Sequence, residues 1–168
     1  MAYMSPFPSE SAWAASAGEA RYRIDGTIVS ARNARVIALD ERAASVARRV
    51  ADGPWAQAGF FTCENSGPAG DGDEIALRGL DGVPSTLAGL LATDPDVVVV
   101  LATDDTGRAQ AAAIGRACGA RAIMTAGVVL GDGFEADDAV AALRPYARVL
   151  LLSADESDVF ELLTALRV

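Results

Sequence analysis

The residues best placed to do chemistry form one short turn, Thr103, Asp104, Asp105, Thr106, Gly107 and Arg108, set between the apolar run Val97 to Ala102 and an alanine-rich stretch. A turn joining a strand to a helix aims the first amides of that helix at whatever lies beyond it, and the partial positive charge there favours a phosphate. The two aspartates oppose this. At an effective dielectric of about 20, carboxylates a few ångströms away repel an anion by several kcal/mol unless a cation bridges them. Two readings follow. In the first, Thr106 and Gly107 meet the phosphate of a nucleotide, Asp104 or Asp105 holds Mg²⁺, and Arg108 balances charge. In the second, Thr103, Asp104 or Asp105 is simply the N-cap, contributing about 1 kcal/mol to the helix.

Other carboxylates stand where strands should end, at Asp40 and Glu64, and with Asp104 they could line one crevice for proton transfer if burial raised a pKa. The segments 67–74 and 131–138 add glycine and acid, the oxygen ligands that a hard divalent cation needs. Neither has calcium-loop spacing, and solvated acidic loops are the expectation, with no metal site and no catalytic residue assigned. The turn after the first strand reads Leu39, Asp40, Glu41, Arg42, with no glycine between Ala34 and Asp52. A dinucleotide cradle needs glycine there for close backbone approach, which is strong evidence against a conventionally bound Rossmann cofactor.

All 14 basic residues are arginine, and the chain has neither lysine nor histidine. That removes the imidazole base, the Ser-His and Cys-His pairs, the phosphate-loop lysine and the Schiff base. With a net charge of −9 and no arginine cluster denser than Arg48–Arg49, the long-range field repels nucleic acid and anionic lipid. No segment reaches the roughly 18 to 20 apolar residues of a membrane span, and the start lacks a signal-peptide pattern, so a cytoplasmic protein is expected. Cys63 and Cys118 lie in apolar sequence without metal-ligand spacing and read as reduced core thiols.

These residues must be positioned by the elements around them. Residues 1–18 have no sustained period and read as a flexible tail, leaving 19–168 as a single α/β domain; 168 residues with 51% hydrophobic content suffice for one core. The Asp25-Gly26 dipeptide suggests a small hairpin or bent strand over 21–30. From Ala34 onward strands alternate with helices: strands at 35–40, 58–64, 74–80, 96–103, 121–130 and 148–154, helices at 41–53, 83–95, 106–120, 135–147 and 156–168. The strands are apolar on consecutive residues, which marks burial on both faces and parallel pairing through helical crossovers. A three-layer αβα domain, Rossmann-like or tubulin-like with a mostly parallel sheet, is the fold expected.

The stretch from Asp96 to Ser157, an apolar strand, a turn containing Thr106 and Gly107, an alanine-rich helix ending in Gly119-Ala120, then strand, helix and strand, resembles the FtsZ/tubulin-like GTPase domain. The likeness covers about Ala34 to Glu156. That family has a GGGTGTG turn where this chain keeps only Thr106 and Gly107, and Phe134 with Glu135 echo a later segment. Its first glycine loop, its activation domain and the acidic loop that completes hydrolysis have no counterpart. The resemblance therefore implies a small, degenerate relative that kept the sheet and discarded GTP hydrolysis. The same stretch is also similar to the regulatory Rossmann domains that gate potassium transport, without their glycine-rich turn.

The resulting expectation is a non-catalytic interaction or scaffold protein, self-associating or bound to a protein partner, with no cofactor. The alternative is a Mg²⁺-dependent nucleotide switch or weak NTPase at Thr103–Gly107. The apolar residues of the last helix, Val159, Phe160, Leu162, Leu163 and Leu166, exceed one narrow stripe and are expected to dock on the chain's own sheet.

Overall fold

The β-branched runs of the sequence do become strands. The computed structural model describes residues 30–64, 75–132 and 135–168, of which Ala31–Val168 form one compact unit. The expected tail, the 21–30 hairpin up to Val29, and the 67–74 loop lie outside the described residues. In chain order the elements are β1 (Ala34–Ala38), α1 (Glu41–Ala51), β2 (Ala58–Cys63), β3 (Ala76–Gly79), β4 (Pro84–Thr86), α2 (Leu87–Leu91), β5 (Val97–Ala102), α3 (Arg108–Ala120), β6 (Met124–Leu130), α4 (Asp137–Leu143), β7 (Ala147–Ala154) and α5 (Glu156–Ala165).

They build one seven-stranded sheet in the order β4-β3-β2-β1-β5-β6-β7. Pairing is parallel from β2 through β7 and antiparallel where β3 and β4 extend the edge beyond β2. The fold is thus the expected three-layer α/β sandwich. Alternate residues of the central strand divide it: Val98, Val100 and Ala102 face α2, α3 and α4, while Val97, Val99 and Leu101 face α1 and α5. Every residue of β5 is buried, in keeping with a strand covered on both faces. The outer strands β2 and β7 are mostly half-buried.

The expected helix over 83–95 is shorter than its sequence suggests. Pro84 opens strand β4 instead, and the helix begins at Leu87, capped by Thr86 Oγ1, which accepts the Gly89 amide at 3.0 Å. Proline lacks the donor that an inner strand needs, and the sheet edge is where that lack is tolerated. The last helix docks as expected through Val159, Leu163 and Leu166, all buried. Phe160 departs from that core face. It is 40% exposed and stacks obliquely on Trp55, ring centroids 4.8 Å apart, while Trp55 Nε1 donates to the Val50 carbonyl. Cys118 is fully buried, and Cys63 only partly.

Candidate functional site

Strand order locates the place to search. The chain leaves β1 towards β2 and returns on the other side as β5, so the order reverses between β1 and β5. In open parallel sheets ligands bind beyond the carboxyl ends of the strands at such a switch point. The turns there are Leu39–Asp40 after β1 and Thr103–Gly107 after β5, so the turn singled out in the sequence does stand at the switch point.

Asp40 bridges the two turns. Its Oδ2 accepts the Thr103 amide at 2.7 Å, and its Oδ1 accepts the Thr103 hydroxyl at 2.7 Å and the Ala43 amide at 2.9 Å. One carboxylate therefore caps α1 and ties down the start of the β5–α3 turn. Beside it, Gly107 is pressed against the first turn. A β-carbon at Gly107 would lie 2.7 Å from Leu39 Cβ and 3.2 Å from the Leu39 carbonyl oxygen. Only a glycine allows this approach. Together the Asp40–Thr103 bridge and the Leu39–Gly107 contact tie the two turns to each other across the strand ends.

The neighbouring aspartates also turn inward on the protein. Asp104 Oδ1 accepts both the amide and the hydroxyl of Thr106, a closed loop within the turn. Asp105 reaches across to α4, where its Oδ1 accepts the Ala139 amide at 2.9 Å. The expectation that Thr103, Asp104 or Asp105 caps the following helix is corrected here. The N-cap of α3 is Gly107, without a side-chain hydrogen bond, and Asp105 serves the next helix along, α4, whose own N-cap Ala136 has no side chain able to do so. Arg108 lies 3.8 Å from Asp138 at the surface, and Arg42 pairs with Glu135 at 3.3 Å, both exposed ion pairs of small energetic weight.

The crevice of Asp40, Glu64 and Asp104 does not form as a proton-transfer set. Glu64 is engaged by Arg78 Nε at 2.6 Å, Asp104 by Thr106, and Asp40 by Thr103. Among the described residues no three His, Cys, Asp or Glu side chains come together as a metal-ligand group. Nor is any described helix long and apolar enough to cross a membrane.

The thiols are poor nucleophiles. Burial, reinforced by the Glu64 charge, pushes the Cys63 thiol up to about 11, and burial raises that of Cys118 as well. A nucleophilic cysteine requires the opposite shift. At the far end of the last connection, the Ser157 hydroxyl and the Asp158 amide both donate to Asp155, holding its carboxyl below the usual range, and Asp158 returns a bond to the Asp155 amide as a capping box.

Sequence reasoning missed the bridging role of Asp40, which a strand-end aspartate does not advertise. It also missed Gln110. This residue sits in the first turn of α3 on the face shared with Ile114 and Ala117, is 8% exposed, and its Oε1 is buried without a hydrogen-bond partner. The available signal was a polar residue at a core position of an otherwise apolar helix face. A cavity of about 390 Å³ lies away from the switch point, bordered by Phe60, Leu80, Val83 and Pro84 near the β3–β4 turn, and gathers no acid–base pair. Comparison of the chain with protein-family models, curated proteins and solved structures returns no match.

Proposed function

We propose that this chain is a non-catalytic interaction or scaffold module, self-associating or docked on a protein partner, built on a degenerate FtsZ/tubulin-like or Rossmann-like core. The observation that supports this reading is that the chain's own groups engage the donors of the switch point. Where a phosphate would take the Thr103 amide and approach the backbone at Gly107, the Asp40 carboxylate and the Leu39 side chain already stand. An anionic ligand there would have to displace a charged acceptor from two donors at once. Hydrogen bonds to a charged group contribute about 1.5–3 kcal/mol each, so the displacement is costly before any repulsion by Asp104 and Asp105 is counted.

A second reading draws on a different observation. The α3 N-terminus has no side-chain cap, and its first turn holds the orphaned Gln110 oxygen. A Mg²⁺-dependent nucleotide switch at Thr103–Gly107 would use those amides. Calorimetric titration with GTP, ATP and NAD(H), with and without Mg²⁺, separates the two. The interaction reading expects no heat from any of them. Magnesium-dependent heat from GTP that disappears in Thr106→Ala overturns it.

A further inference from the structure

We propose that β7 is a self-association edge, on which a second copy of this chain pairs its own β7 antiparallel about a two-fold axis at Leu150, joining two seven-stranded sheets into one. This deepens the interaction reading and rests on it. The two sheet edges differ in kind. On one side β4 has three residues and starts with proline, a device that blunts an edge. On the other, β7 has eight residues, no proline and no lysine, and its stretch Arg148-Val149-Leu150-Leu151-Leu152 is apolar after the first residue. Register shifts between Ala147 and Val149 and between Leu151 and Ala154, the second holding a left-handed Ser153 (φ 53°), leave Val149–Leu151 as its regular run, so the pairing centres on those three residues with Arg148 and Leu152 as its flanks.

Antiparallel pairing is the arrangement that satisfies this edge with its own copy. A two-fold contact makes each patch its own complement. With the axis at Leu150, Val149 of one copy opposes Leu151 of the other within the regular run, and Arg148 of one copy comes beside Leu152 of the other where the flanks meet. Leu152, now 50% exposed, would then lie under the aliphatic stem of an arginine. Charge points the same way. The amino end of β7 carries Arg144 and Arg148, neither in an ion pair among the described residues. Its carboxyl end runs into Asp155, Glu156 and Asp158. Antiparallel association sets the basic end of each copy against the acidic end of the other, twice, whereas parallel association sets like against like.

The test is the mass of the full chain by light scattering and sedimentation over a concentration series, with circular dichroism to verify that each variant is folded. Wild type is expected to be a dimer. Leu152→Arg places arginine beside Arg148 at both symmetric contacts and should weaken the dimer by about tenfold or more. Adding Arg148→Glu to that variant should restore it, because each new arginine then faces a glutamate. Val83→Arg, at the exposed opposite edge, should leave the mass unchanged. A dimer indifferent to Leu152→Arg overturns the edge assignment while leaving the interaction reading intact. A double variant that fails to recover overturns the antiparallel register. A chain that stays monomeric throughout overturns the proposal, and the nucleotide titration then decides the interaction reading separately.

Discussion

Replacing Asp40 should loosen two turns together, because its carboxylate holds the α1 amide of Ala43 and both the amide and hydroxyl of Thr103. Losing the cap costs about 1 kcal/mol. Each Thr103 donor loses a bond to a charged acceptor; the site is only part-buried, so water recovers some of this and about 1 kcal/mol per donor is left. Asp40→Ala should therefore destabilise the fold by about 3 kcal/mol. Asp40→Asn keeps the oxygen shared by Ala43 and the Thr103 hydroxyl but turns an NH₂ toward the Thr103 amide. Its loss should be about a third as large, about 1 kcal/mol, confined to that one donor.

Urea denaturation read by circular dichroism measures both, with the slope expected to stay constant while the midpoint falls. The decisive comparison is a double-mutant cycle with Thr103→Val, which removes the hydroxyl and keeps the amide. If the bridge acts as drawn, the two changes couple by about 1 kcal/mol, since the hydroxyl bond can be lost only once. Coupling below about 0.3 kcal/mol would mean that the turns are held by packing at Leu39 and Gly107 alone, and the bridging argument would fail.

Three further outcomes follow from single positions. Ala122 ends α3 with a left-handed backbone (φ 54°), its amide on the Gly119 carbonyl and the Ile123 amide on that of Cys118. This is the hydrogen-bond pattern that glycine usually serves, so Ala122→Gly should stabilise the protein by about 1 kcal/mol, visible as a higher urea midpoint. Gly115→Ala should destabilise by about 1–3 kcal/mol despite better helix propensity, because the new methyl would sit 2.5 Å from Tyr146 Cδ2 and 3.0 Å from its Cβ; a gain in the thermal midpoint would contradict this. For Cys63, whose thiol is pushed to about 11 from an ordinary 9.0, the folded chain keeps a proton that the unfolded chain releases first. Its contribution is fully present below pH 9.0 and is lost as pH rises through about 11. Urea midpoints should fall over that window, and Cys63→Ala should flatten the fall.

The fold was legible because its signals are local and redundant. Val97–Ala102 is apolar at every position, which only a strand covered on both faces tolerates, and the helices between strands carry their own periodicity. The β3–β4 edge was less so. Pro84 reads equally as the first turn of a helix or as an edge strand, and the choice is made by pairing with Arg78, six residues away, which no local window weighs. Cys63 packs against the core as a free thiol but is only partly buried, for a related reason: burial of β2 depends on what covers its faces, not on its own composition.

The switch-point turn shows why a site is harder to read than a fold. Acid beside a glycine after an apolar strand has the same composition whether the carboxylates face a ligand or face the chain. What decides is the partner of each oxygen, and those partners are remote: Asp40 meets Thr103 across 63 residues, and Asp105 meets Ala139 across 34. Asp104 alone had a local partner in view, in Thr106 two residues on. Each donor taken by the protein's own carboxylate is one withdrawn from a ligand, so the bonds that brace the turn also set the affinity any anion would have to exceed. Asp40→Asn therefore bears on function as well as stability. It removes the charge that guards the Thr103 amide, and if the crevice is closed by that charge rather than by Leu39, phosphate affinity should be higher in the variant than in wild type, as calorimetric titration with inorganic phosphate would show.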